Sequence, residues 1–171
     1  MNKYVVLKKS DFSQFIKELR RTAPVMAPVA KGYNNYAFAE VKSGKEIALK
    51  YIPTILPPKK FFIPQHEKIQ EFNKSQKKWT PVVKSEELIL FGVHTCDLAG
   101  IQFLNKAMST DPKDVNYLAR KNKIAVIGLE CNDYCDEFAS CALMRNHLPK
   151  GGYDLFLTDL GTFFMVHVRT N

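Results

Sequence analysis

The chain has 171 residues, 46% of them hydrophobic and 25% charged, with 8 Gly, 9 Pro and 4 Cys, which excludes a disordered tail and fits one globular domain over residues 1–171. Its net charge of +8 is unevenly spread. Residues 1–90 carry 17 basic and 8 acidic side chains, residues 91–171 carry 8 and 9, and Cys96, Cys131, Cys135 and Cys141 all lie in the second half.

A chain of this length buries a core without disulfide staples. No stretch approaches the ~18 consecutive apolar residues of a membrane helix, and the segment from Met1 to Lys9 is too short and too charged for a secretory signal. The expected setting is a reducing cytoplasm with no membrane association, where cysteines serve as metal ligands or redox groups more often than as bridges.

Tyr4 to Leu7 reads as a short strand, and Ser10 is placed to cap a helix whose Phe12, Phe15, Ile16 and Leu19 share one face and which ends near Thr22, before Pro24 and Pro28. The aromatic, partly alternating run from Tyr33 to Val41 predicts an antiparallel strand with a turn at Ser43-Gly44. Four prolines between Pro53 and Pro64 then predict an extended segment carrying Lys59-Lys60-Phe61-Phe62. A short amphipathic helix through Ile69 and Phe72 is expected next, before the basic, polar run Asn73 to Lys78. Trp79, the one tryptophan, is expected to anchor in the core.

Glu87 to Val93 and Lys123 to Leu129 are continuous apolar runs of the kind that form buried parallel strands. Between them Leu98, Ile101, Leu104 and Met108 share a helical face, and a second helix is expected from Asp114 to Arg120, which makes a βαβ unit. Asp154 to Thr158 and Thr162 to Val168, joined at Asp159-Leu160-Gly161, predict a terminal hairpin. The fold class is therefore α/β: a small mixed sheet with a βαβ unit, a C-terminal hairpin and a cysteine-bearing loop at the strand ends.

Cys96 lies just past the end of the first buried strand and Cys131 two residues past the second. Adjacent parallel strands end on one edge, the edge where α/β folds place ligands, so both sulfurs are expected there. Cys135 and Cys141 follow in a loop able to curl three thiolates together. Four converging thiolates hold either tetrahedral zinc or an iron–sulfur cluster, and a spacing of three residues and then five does not choose between them. A single cysteine is more often core filler, but three within eleven residues and a fourth at the same sheet edge favour ligation. A nucleophilic cysteine is disfavoured, because Glu130, Asp133, Asp136 and Glu137 oppose thiolate formation unless a cation compensates. His94, two residues before Cys96, is a candidate hydrogen-bond donor to the metal site's ligands, although a histidine at a strand end is more often structural. Gly151-Gly152 is a turn, and no glycine-rich phosphate fingerprint follows a strand, so tight flavin or nicotinamide binding is not expected.

The segments Ile55-Leu56-Pro57-Pro58-Lys59-Lys60-Phe61-Phe62, Gly92-Val93-His94-Thr95-Cys96-Asp97-Leu98, Asp114 to Asn122 and Asp154 to Gly161 resemble the N-terminal domain of the β subunit of cytoplasmic sulfhydrogenase-type nickel–iron hydrogenases, related to the A subunit of anaerobic sulfite reductase. The resemblance implies an electron-transfer component of an oxidoreductase complex. It also implies a redox partner subunit of the flavin, hydrogenase or reductase type. The matching positions are the Gly-Val-His-x-Cys-Asp turn with Cys96 and the loop with Cys131, Cys135 and Cys141. Phe138 to Met144 departs from the Cys-Phe-Cys arrangement common there, and the ferredoxin-like module that follows in such subunits has no counterpart in residues 1–171.

The expectation taken forward is one [4Fe-4S] cluster held by Cys96, Cys131, Cys135 and Cys141, with His94 hydrogen-bonding beside it and no bond-breaking catalytic group. The alternative is a structural zinc module that binds protein, or nucleic acid through the basic half. Some N-terminal lysines are expected to offset the negative field of the site; others, among Lys59, Lys60, Lys74, Lys77 and Lys78, are expected to form a docking face for an acidic redox partner rather than for nucleic acid.

Overall fold

A computed structural model describes residues 3–169. Strand β1 (Lys3–Lys8) leads through a 3₁₀ turn into helix α1 (Phe12–Thr22), followed by β2 (Val25–Ala30) and β3 (Tyr36–Glu40). A small hairpin, β4 (Gln70–Asn73) and β5 (Lys78–Pro81), precedes β6 (Leu88–Val93), α2 (Thr95–Ser109), α3 (Val115–Lys121) and β7 (Ile124–Leu129). After a long irregular segment come β8 (Leu155–Asp159) and β9 (Phe163–Val168).

Seven strands form one mixed sheet in the order β1-β9-β8-β7-β6-β2-β3, with β4 and β5 pairing outside it. Strands β2, β6, β7 and β8 are mutually parallel, and antiparallel partners flank them on both sides. The βαβ unit and the terminal hairpin are present as expected.

Alternation along the strands divides the core between the two faces of the sheet. Ile89, Phe91, Ile127, Leu129 and Leu157 pack with Phe12 and Ile16 of α1. Leu90, Val126 and Phe156 pack with Leu98 and Ile101 of α2 and Tyr117 of α3. Fully burying each of these large side chains contributes about 1.5–3 kcal/mol, which is why the apolar runs dictate the central strands.

Several local expectations are corrected. Ser10 does not cap α1; its hydroxyl donates to Asp11, and Asp11 holds the cap position without a side-chain bond to the helix. Val25–Ala30 is a strand despite Pro28. Its parallel pairing with β6 ends at Met26, so no ladder donor toward β6 is required of Pro28. Pro58–Phe61 is a 3₁₀ turn rather than an extended run, with proline at its start, and it drives Phe62 into the core. Lys59 is exposed, whereas Lys60 is half-buried with its ammonium on the Phe38 carbonyl and over the Phe61 ring.

The segment through Ile69 and Phe72 is a hairpin strand, not a helix, and Asn73 to Lys78 forms its turn. The Asn73 carboxamide oxygen accepts from the Ser75 and Gln76 amides, a local pattern that competes with helix. Trp79 is therefore not a core anchor: it is 60% exposed on β5, and its ring packs against Phe72 across the hairpin.

The base of that hairpin is pinned to α3. Arg120 donates to both carboxylate oxygens of Glu67 and to the Phe62 carbonyl, and Asn116 donates to Glu67 and to the Val82 carbonyl. The Arg120 guanidinium holds the Glu67 carboxyl below its usual range. That contribution to stability is present above the unfolded carboxylate range and is lost as pH falls through the folded value. Arg120→Met is expected to cost about 1–3 kcal/mol at neutral pH by leaving Glu67 without its cation. The loss relative to wild type should shrink in acid, as chemical denaturation at pH 7 and pH 4 would show; equal losses at both would contradict the assignment.

Candidate metal centre

The sheet's carboxyl edge carries the site. Strand β6 ends in a bulge at Gly92, whose φ of +80° suits glycine and whose missing Cβ leaves room for the Pro28 ring, 3.1 Å from where a Cβ would sit. The Gly92 carbonyl accepts the Tyr51 hydroxyl at 2.7 Å. Helix α2 then begins at once: the His94 carbonyl accepts from the Leu98 amide at 2.9 Å, which places Cys96 in the first helical turn.

On the neighbouring strand, the Glu130 amide bonds the Leu157 carbonyl, and Cys131 follows at the mouth of residues 130–154. That segment is irregular and long, the kind of connection that is usually functional. It is closed at its far end by Asp154, whose amide bonds the Val126 carbonyl and whose carboxylate accepts from the Val126 amide at 2.8 Å.

Cys96, Cys131, Cys135 and Cys141 are free thiols, each half-buried, and all four line one cavity of about 260 Å³ together with Thr95 and His147. Among the described residues, no three His, Cys, Asp or Glu side chains stand close enough together to hold a single metal ion. The thiols ring the cavity instead of gripping one point.

Their electrostatics are coupled. Burial, with Asp97, Cys131 and Cys141 adding to it, pushes the Cys96 thiol up to about 12, and burial pushes Cys131 up to about 11. Cys135 is raised too, by burial, then by Cys141 and Asp136. The Thr95 amide and hydroxyl act the other way on Cys131, as does the Asp97 amide on Cys96. These donors lie at the N-terminus of α2, where the helix dipole also favours a thiolate. Without a cation, burial and mutual repulsion win and Cys96, Cys131 and Cys135 stay protonated. The donor set therefore fits a multiply charged metal group: four soft sulfurs, N–H donors beside two of them, and a field that a cation reverses.

His94 is 5% exposed, and its ring stacks on Tyr51 with centroids 3.8 Å apart. It lines an adjacent cavity of about 370 Å³ with Tyr36, Tyr51, Cys131 and Cys135. Sequence reasoning had no periodicity or motif to bring Tyr51 to His94, 43 positions further along the chain, and it gave no signal for His147. Asp97 was adjacent to Cys96 in the sequence and carried a signal that its charge alone could have supplied.

Burial pushes His94 down to about 4 and Asp97 up to about 6, with Lys59 opposing the Asp97 shift. For His94 the unfolded chain binds the proton more readily, so stability falls as pH drops from 6.5 toward 4. For Asp97 the folded chain binds it more readily, so stability falls as pH rises from 3.8 toward 6. In the metal-free chain the two slopes oppose each other between pH 4 and pH 6. Asp97→Asn is expected to unmask the His94 term, a loss of about 2 kcal/mol on acidification across that window relative to wild type. Parallel pH-dependent melts of variant and wild type would contradict it.

A thiol-lined cavity at the carboxyl edge of a mixed, largely parallel sheet defines the class: an α/β domain built around a four-cysteine centre. The chain is 34% identical over 166 residues to Sulfhydrogenase 2 subunit beta of Pyrococcus furiosus, an alignment covering 97% of this chain and 48% of that protein. Over that length the chain is similar to a sulfhydrogenase β subunit. The chain spans about half the length of that curated relative. No family model matches the chain, and no solved structure matches it.

Proposed function

We propose that this chain is the electron-transfer domain of a hydrogenase- or reductase-type complex and holds one [4Fe-4S] cluster through Cys96, Cys131, Cys135 and Cys141. The observation that carries the reading is that four cysteines from two strand ends and one long loop line a single cavity of about 260 Å³. A single tetrahedral ion needs four sulfurs about 2.3 Å from one point. A ring of thiols about an open cavity suits a larger group. The similarity to a sulfhydrogenase subunit supports the same choice over the zinc alternative.

When bound, such a cluster supplies reversible one-electron transfer. The chain's own residues set its surroundings. The Thr95 and Asp97 amides donate toward the Cys131 and Cys96 sulfurs; Asp97 and Asp136 place negative charge nearby, which favours the oxidised form and lowers the potential. Lys59 offsets part of that charge at Asp97. Partner subunits deliver and remove the electron, and we place the whole chain as one such domain working in the cytoplasm. No helix among the described residues is long and apolar enough to cross a membrane.

Dithionite reduction tests the reading. Anaerobically reconstituted protein is expected to bleach its broad visible absorption and give a low-temperature paramagnetic signal of about one spin per chain, as a reduced cubane does. A colourless preparation that takes up one zinc, and gives no signal after reconstitution with iron and sulfide, would favour the zinc module.

A further inference from the structure

Hairpin β4–β5 has no part in the site just described. All eight of its strand residues are exposed, and it stands outside the seven-stranded sheet. Phe72 and Trp79, an opposed cross-strand pair, put two aromatic rings in solvent at 46% and 60% exposure, with ring centroids 5.0 Å apart. Ile69 and Val83 at its base are exposed as well. A two-stranded ribbon of this size is marginal on its own. It is nonetheless fixed in place, by the Val82 amide on the Ile69 carbonyl and by the Glu67, Asn116 and Arg120 cluster beneath it. A rigidly presented apolar ridge marks an interaction surface.

Its charge says what covers it. Between Lys68 and Lys84 the sequence has five lysines and one acidic residue, Glu71. Glu71 is paired with Lys68 at 2.7 Å, and Lys74, Lys77 and Lys78 make no ion pair among the described residues. A cavity of about 750 Å³ joins Lys68 and Lys84 to Leu88 and Ile124, the first residues of β6 and β7. The hairpin therefore sits at the edge of the sheet opposite the cysteines.

We infer that the Phe72–Trp79 hairpin is an assembly face that docks a partner protein subunit through an apolar pocket rimmed by carboxylates. The inference rests on the chain working with partner subunits, as proposed above, and assigns the joint to the end remote from the cluster, so that docking and electron exit use different surfaces. A nucleic-acid platform fits less well: the two rings pack on each other and leave less face for bases, and the exposed aliphatic residues Ile69 and Val83 have no role in base stacking. They are what the core of a protein interface would cover.

Trp79 is the one tryptophan of the chain, so its emission reports on this face alone. The protein is titrated with a synthetic peptide alternating Glu and Leu, with the corresponding Lys and Leu peptide, and with single-stranded oligothymidylate. The Glu–Leu peptide is expected to shift Trp79 emission to the blue, with binding weakened at least about tenfold on going from low salt to roughly 0.5 M. The combined Lys74→Glu, Lys77→Glu and Lys78→Glu variant is expected to lose that binding. No shift with the Glu–Leu peptide, an undiminished shift in the variant, or tighter binding of either other probe would overturn the proposal. Iron measured on the same samples keeps the two readings separate, because the variant leaves the cysteines untouched.

Discussion

Cys131→Ser is expected to fold normally and to retain below about one iron per chain, against about four for the wild type. Cys131 stands two residues beyond β7, outside the paired strands, and the change is nearly isosteric, so the cost in stability should stay within about 1 kcal/mol. The ligand loss is large because a serine hydroxyl ionises far less readily than a thiol and is a hard donor where a soft one is required. Cys131 also occupies the middle of the arrangement: it is coupled to Cys135 and Cys141 on its own loop and to Cys96 across the strand gap. Iron analysis alongside a thermal melt checks this. Wild-type iron in a folded Cys131→Ser protein would remove Cys131 from the ligand set.

Gly128→Ala carries the largest expected penalty to the fold. A Cβ at Gly128 would sit 2.5 Å from Cδ2 of Phe156 and 3.1 Å from Cδ1 of Leu98, both in the core between sheet and α2. Neither neighbour is the loose end of a surface side chain, so strand and helix must separate, at an expected cost of about 2–3 kcal/mol. For a chain of this size that corresponds to a melting point lower by roughly 5–10 °C. Leu98 lies two residues after Cys96 in the first turn of α2, so the same displacement should loosen the proposed cluster site and lower iron retention. Adding Phe156→Leu should recover part of both losses, a coupling that a double-mutant cycle measures. An unshifted melt for Gly128→Ala would contradict the packing described.

What the sequence made legible follows from which forces are local. The apolar runs of β6 and β7 and the 3.6-residue spacing of Leu98 and Ile101 are dictated by burial, and burial writes a pattern that survives without knowledge of the partners. The edge placement of Cys96 and Cys131 followed from that topology. Phe72 and Trp79 show the limit: two large aromatics read as buried, yet the Asn73 turn and the flanking lysines turn them outward as a ribbon. Pro28 shows another, since a proline is compatible with a strand once the pairing on one side has ended. At the site, the stacking of Tyr51 on His94 depends on a bulge at Gly92 and on a segment 41 positions away, and nothing local encodes it. His147 joins the cysteines only through the course of the irregular loop.

The central claim is tested most directly by iron and acid-labile sulfide analysis of protein purified without oxygen. About four iron and four sulfide per chain are expected, in a brown protein, with no stoichiometric zinc. One zinc per chain with neither iron nor labile sulfide would contradict the electron-transfer assignment.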